Sequence, residues 1–373
     1  MLKEYLRPCS TVADDDSVQT IEFVRSRLKP IAISSETFKT KAKYSLLEEG
    51  DEILLLETGE HTSKYTLFNL SKGEVIAKGE IDGPPLNIGV TSFFDYDSIY
   101  FNTGLKGKIY RMDTSGIIKE EINLSNLSAS WFLEGSLPSL LENHDQGKIE
   151  IIDGKLVFNL DAFDYWLYPN KNSINALVVY DIYKSQIVSE MGGHSTKLTS
   201  SSIYLPDKYT YPYFEIKDDL VFVSHPFNHS IQVYDKAGQL IEDVCMASQY
   251  IDQLQEPLGQ NYDIQESINF HITAAHYGQI NYHEGSELFS RLVFHSSPLY
   301  DNDGKLNMNN CDKTYSLILF NKNLEKISEI FLGNDALWVR ALPTKTGYVV
   351  SGKCSNYAGE DFLRYNFKYD FKK

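Results

Sequence analysis

SIQVYDKAGQLIEDV, residues 230–244, is a β-hairpin legible in one line of sequence. Apolar Ile231 and Val233 alternate with polar neighbours, as in a strand with a period of two. The pair Tyr234-Asp235 follows, then Lys-Ala-Gly, and a second short strand begins at Leu240. Asp and Gly accept the tight backbone geometry that joins antiparallel strands. The same arrangement recurs in YTLFNLSKGEVIAKGEI (65–81), GKIYRMDTSGIIKEEI (107–122), ALVVYDIYKSQIVSE (176–190), SLILFNKNLEKISEI (316–330) and DFLRYNFKYDF (361–371). The anchor aromatics are Phe68, Tyr110, Tyr180, Tyr234, Phe320 and Tyr365, spaced by 42, 70, 54, 86 and 45 residues. The shortest spacings match one four-stranded propeller blade of about 40–50 residues.

A second hairpin precedes each anchor. Its turns are EEGDE (48–52), DYDS (95–98), DGK (153–155), KDD (217–219), EGS (284–286) and KTG (345–347), each followed by an apolar run such as EILLLE or LVFVS. Every unit therefore reads as strand a, tight turn, strand b, loop, strand c, tight turn, strand d. The sixth unit stops short of a strand d. The missing strand is supplied by QTIEFV (19–24), whose pattern matches QLIEDV and KISEIF. The expectation is an all-β, six-bladed β-propeller with four-stranded antiparallel blades. The N-terminal strand pairs with the last blade and closes the ring, which removes exposed sheet edges. Residues 1–17 form a tail or tether, and 18–373 form one domain.

In such units the a–b and c–d turns lie on one face, and the b–c and d–a connections on the other. The long connections all belong to the second class: 125–147, 161–173, 191–211, 246–267 and 296–313. Two of them, through SASWFLEGSLPSLLE and ASQYIDQLQ, have the composition of short helices. Binding residues commonly sit on loops held by a rigid scaffold, so the long-loop face is the expected binding face. Its candidates are Tyr165, Trp166, Tyr168 and Tyr211, whose rings can stack on sugars or clamp peptide side chains. His225 and His229 lie in a b–c loop, and Arg340 is an inner-strand charge.

Other constellations fall short. His271, His276 and His283, placed on one strand, do not share a face. DNDG (301–304) has its glycine at the wrong position for a calcium loop and reads as a hairpin turn. No nucleophile elbow, P-loop, dinucleotide fingerprint or H-E-x-x-H occurs. No metal, cofactor or catalytic residue is nominated. Cys9, Cys245, Cys311 and Cys354 have no zinc spacing, and buried free thiols are the expectation. A Cys311–Cys354 disulfide is open if the protein is extracytoplasmic.

The chain carries 35 Lys and Arg against 51 Asp and Glu, a formal charge of −16. A diffuse negative surface repels phosphate backbones, so nucleic acid is excluded as a partner. No apolar run reaches the roughly 18 residues of a membrane-spanning helix. A monomer is expected.

The six aromatic-Asp/Asn units, the terminal FLRYNFKYDF and the acidic, tyrosine-rich composition resemble a family of uncharacterised six-bladed, TolB-like propeller proteins of Bacteroidota. The resemblance runs from about Val18 to Phe371. It implies the fold and no catalytic residues. It also implies an exported lipoprotein, which favours the cell envelope. Here the sequence departs, because LRPC before Ser10 is a poor lipobox with no apolar run ahead of it. Either the true start lies upstream and Cys9 carries a lipid anchor, or Cys9 is an incidental cytosolic thiol. The functional expectation is a binding or scaffold propeller for a protein, peptide or glycan partner. The alternative is a propeller enzyme, such as a metal-dependent lactonase or a glycan-cleaving hydrolase or lyase.

Overall fold

The computed structural model describes residues 7–9, 21–28, 42–59, 63–81, 91–102, 107–127, 129–130, 132, 138–140, 148–162, 175–194, 203–206, 209–259, 262–307, 313–334, 336, 338, 341–351 and 362–369. Six four-stranded antiparallel sheets stand in a ring, as the hairpin units predict. Blade 1 comprises Ala42–Glu49, Glu52–Gly59, Lys64–Asn69 and Glu74–Glu80. Blade 2 comprises Thr91–Asp95, Ser98–Asn102, Lys108–Met112 and Ile118–Asn123. Blade 3 comprises Ile149–Ile152, Lys155–Ala162, Leu177–Asp181 and Gln186–Met191, with Pro138–Leu140 paired to its strand b as an extra edge. Blade 4 comprises Tyr213–Lys217, Leu220–Ser224, Ser230–Asp235 and Leu240–Cys245. Blade 5 comprises His276–His283, Leu288–Phe294, Tyr315–Phe320 and Lys326–Gly333. The a strands of neighbouring blades pack against one another, so strand a lines the axis.

Blade 6 is shared between the two ends of the chain. Leu342–Thr344, Gly347–Ser351 and Phe362–Tyr369 supply strands a to c. Ile21–Arg27 is strand d, antiparallel to the last strand with Ile21 opposite Tyr369 and Arg27 opposite Leu363. This is the closure that QTIEFV (19–24) implied, with the strand running from Ile21 on to Arg27.

Apolar side chains fill the gap between every pair of adjacent blades, giving six interblade clusters. Strand b is buried on both faces, which explains its continuous apolar run. In EILLLE, Leu54 and Leu56 face blade 2, while Ile53 and Leu55 face blade 6. All six anchor aromatics are buried, and each points into the gap before its own blade. The polar residue that ends strand c has a separate task. Asp235 Oδ1 accepts from the backbone N–H groups of Ala237 and Gln239, both at 2.9 Å. Asp113 does the same for Ser115 and Ile117, and Asn321 for Asn323 and Glu325. These side chains replace the ladder bonds that a tight turn cannot make. In blades 1, 3, 4 and 5 the ladder register shifts immediately before the anchor aromatic, and in blade 2 immediately before Met112. The blade 2 turn therefore uses Met112-Asp113, two residues beyond Tyr110. Gly238 (φ 82°) must be glycine here, since a Cβ would fall 1.8 Å from Ser189 Oγ.

Two expectations are corrected. Residues 247–255 are not helical. The helix of this connection is Ile264–Thr273, capped by Asp263, whose side chain accepts from Glu266 N while Glu266 reaches back to Asp263 N. His271 is consequently helical rather than on a strand. Second, Cys9 and Cys245 are not free thiols but a disulfide, with Cα atoms 5.9 Å apart and 236 residues between them. The sulfur of Cys9 is therefore not available to a lipid thioether. A sequence separation of this size hides the pairing, because only the ring brings the N-terminal tail to the outer strand of blade 4. Cys311 and Cys354 lie outside the described residues. Among the described residues no helix is long and apolar enough to cross a membrane.

Cross-linking distant points removes freedom from the unfolded chain. Cys245→Ser is expected to lower unfolding free energy by about 2–4 kcal/mol. Urea titrations of wild type and variant check this, and a non-reducing peptide map should contain the Cys9–Cys245 link.

Candidate functional site

On the long-loop face, the b–c loop of blade 4 is fixed from below by one buried cation. Arg291, central in strand b of blade 5, is fully buried. Its Nε donates to Ser224 Oγ at 2.8 Å. Its Nη atoms donate to the carbonyls of His225 (3.2 Å), Asn228 (2.7 Å), His229 (3.0 Å) and Met246 (3.2 Å). The guanidinium also stacks 3.6 Å from the Tyr277 ring centroid. A guanidinium presents a planar fork of donors and suits this clustering of backbone acceptors. An arginine inside the apolar run ELFSRLVF was the sequence signal for this anchor.

The two histidines of that loop are buried rather than displayed. His229 Nδ1 lies 2.7 Å from Tyr277 Oη. The His225 ring sits 4.3 Å from the His194 ring. Its nitrogens make no hydrogen bond of good geometry, and the Gln232 side chain beside it receives Tyr234 Oη at 3.1 Å. His194 Nε2 meets the Thr210 carbonyl at 2.8 Å. Tyr211 is also buried, and its hydroxyl donates to Asp161. The structure thus groups His225 and His229 around Arg291 and places Tyr211 on a blade 3 partner. Tyr165, Trp166, Tyr168 and Arg340 lie outside the described residues.

The three histidines of the helix and strand a of blade 5 separate. His271 and His276 flank Tyr209, at 5.1 and 4.9 Å between ring centroids. His283, at the far end of the strand, contacts the Thr344 carbonyl and Ser290 Oγ, each at 2.7 Å. Among the described residues no group of three or more His, Cys, Asp or Glu is placed to hold a metal ion. Asp301–Gly304 forms a turn in which Asp301 accepts from Asp303 N and Lys305 N.

The displayed feature of this face is an aromatic cluster that the sequence did not reveal. Tyr250, from the connection after blade 4, is 43% exposed, and Phe331, from strand d of blade 5, is 53% exposed. Their centroids are 5.6 Å apart at 62°. His295, at the end of strand b, lies 5.2 Å from Tyr250 and 5.5 Å from Phe331. A polar network beneath holds the rings in place. The Glu329 carboxylate accepts from Ser248 Oγ (2.5 Å), Gln249 N (2.8 Å), Ser316 Oγ (2.7 Å) and Lys326 Nζ (3.1 Å). Ser248 Oγ receives Tyr250 N, and Ser316 Oγ meets His295 Nε2 at 2.9 Å. Tyr300, 56% exposed, stands on the b–c loop of the same blade.

No family model and no curated protein matches the sequence. Among solved structures, the chain is similar to a member of the DUF4221 family from Bacteroides vulgatus, with a TM-score of 0.72 at 14% identity, covering 95% of this chain and 100% of that one. The likeness is one of fold. Similarity is lower to a luciferin-regenerating enzyme (TM-score 0.45, 7% identity, 92% and 95% covered). It is also lower to virginiamycin B lyase from Staphylococcus aureus (TM-score 0.41, 11% identity, 93% and 99% covered). Neither transfers a site to this chain.

Burial pushes His194 and His283 down to about 4 and also lowers His295. His225 is pushed down by burial, then by neighbouring His194 and Arg291. These imidazoles fold neutral, whereas the unfolded chain binds protons below its histidine value near 6.5. Their stabilisation is therefore complete above pH 6.5 and is lost as pH falls toward 4. Each histidine that must take up a proton on unfolding contributes a slope of about 1.4 kcal/mol per pH unit. Urea titrations at pH 7, 6 and 5 should give a loss steeper than one proton, made shallower by His225→Gln.

Proposed function

We propose that the protein is a binding propeller that engages a peptide or glycan partner through its long-loop face. The observation that carries this reading is the exposed Tyr250–Phe331 pair, oriented by Glu329 through Ser248 and Gln249. Aromatic faces stack on the C–H faces of sugars and on peptide side chains. Rings fixed before binding lose little conformational entropy when a partner arrives, which raises affinity. Exposed aromatic clusters on a soluble domain are a common mark of an interaction site. The disulfide supports an oxidising compartment, hence the cell envelope.

The test is a glycan and peptide array probed with the full chain, followed by calorimetry on the hits. The Tyr250→Ala/Phe331→Ser double variant should weaken the best hit at least tenfold, or about 1.4 kcal/mol. Its thermal midpoint should stay near that of wild type, because both rings are half-exposed. A hit bound equally well by the double variant would remove this face from the function.

A further inference from the structure

The opposite face, formed by the a–b turns, carries a cavity. A cavity of about 360 Å³ opens there at the end of the axis, between the inner strands of blades 1, 4, 5 and 6. Its volume is in the range that small-molecule sites occupy. Among its lining residues are Lys217, Tyr282, Glu284, Thr344 and Lys345. Lys217, Glu284 and Lys345 each stand at the end of a strand a, where a tight turn begins.

The wall is rigid. Gly285 N donates to the Lys345 carbonyl at 2.7 Å, which joins the turns of blades 5 and 6. A side chain at Gly285 would clash there, its Cβ lying 2.9 Å from Thr346 and 3.1 Å from that carbonyl. His283 holds the Thr344 carbonyl at 2.7 Å.

Charge bookkeeping separates the framework from what is available. Glu48, also in the wall, pairs with Arg364 at 2.9 Å and accepts from Lys345 N. Glu215 pairs with Lys148 at 2.9 Å, and Lys148 also meets Glu150 at 2.8 Å. Burial raises the Glu215 carboxyl while Lys148 pulls it back, and the two carboxylates keep Lys148 charged against burial. These groups hold the blades together. By contrast, Lys345 Nζ and the Glu284 carboxylate form no ion pair among the described residues. Lys217 Nζ lies 3.3 Å from Asp218, which is 75% exposed, so that pair is weak in water, and it also feels the nearby Glu284 carboxylate. It also lies 4.7 Å from the Tyr282 ring centroid. Thr344 is 5% exposed, and its hydroxyl is sealed within the wall.

We propose that this cavity binds a small zwitterion, an amino acid or a dipeptide. Its carboxylate meets the lysine ammonium groups, its ammonium meets Glu284, and its side chain lies along Tyr282. The overall charge of −16 favours a neutral zwitterion over a net anion, which the whole field repels. A net cation would be opposed by the Lys217 and Lys345 ammonium groups.

The experiment is calorimetry of the full chain with free amino acids, dipeptides, and their N-acetyl and C-amide forms. A free amino acid or a dipeptide should bind at micromolar to millimolar concentration, and the preferred arm identifies the source. Acetylation or amidation should each weaken binding by about tenfold or more, as loss of a charge-assisted hydrogen bond does. Glu284→Gln and Lys345→Gln should do the same, with unchanged circular dichroism, because both side chains are exposed. Equal affinity for the blocked forms, wild-type affinity in both charge variants, or no binding of any free amino acid or dipeptide at 10 mM, about the weak limit of specific small-ligand affinity, would overturn the proposal. Unchanged binding by the Tyr250→Ala/Phe331→Ser variant is expected, since the two sites lie on opposite faces.

Discussion

The pairing of Ile21–Arg27 with Phe362–Tyr369 is the contact on which the other five blades depend. Each sheet buries its two faces only because a neighbour stands on either side. Among the described residues the C-terminal part of the chain supplies three strands of blade 6. Closing it with the N-terminal strand completes that blade and pairs the edge that Phe362–Tyr369 would otherwise expose. The disulfide between Cys9 and Cys245 then ties the tail that precedes this strand to the outer edge of blade 4. The two ends of the chain are thereby secured at two points of the ring.

Closure also divides the molecule into two unlike faces. The a–b and c–d turns are short, and their geometry is set by side chains such as Asp113, Asp235 and Asn321 accepting from the turn backbone. The other face carries the long connections. Buried polar groups organise these from beneath. Arg291 gathers four carbonyls and a serine hydroxyl, and Glu329 gathers four donors from three segments. Burying such groups is tolerable because their bonding capacity is met in place. The result is a face whose surface rings have fixed directions.

Much of this was legible before any coordinate. Tyr234-Asp235 and its relatives report two local facts at once, an aromatic packed into the preceding gap and an acceptor closing the next turn. Both facts act over a few residues, so they leave a repeating mark in the chain. Blade 2 shows the limit of that mark, since Tyr110 keeps the packing role while Asp113 takes the turn. The binding residues left no such mark. His225 and His229 looked like loop-surface groups, yet Arg291 draws their carbonyls inward and buries the rings. Tyr250 and Phe331 looked like two unrelated aromatics, because the residues that align them, Ser248 and Glu329, are 81 positions apart.

The sequence by itself determined the blade count, the strand order and the turn chemistry, because each follows from periodicity and from contacts short along the chain, and the closing strand was legible because QTIEFV repeats the strand d pattern. Only the tertiary structure decided which side chains share a site. Lys217, Glu284 and Lys345 stand where three separate strands pass into tight turns that read as ordinary hairpins, and nothing local distinguishes them from the other turn residues. They meet at one cavity because a closed ring brings the same end of every inner strand to a common axis, and that convergence is a property of the assembled sheets, not of any segment.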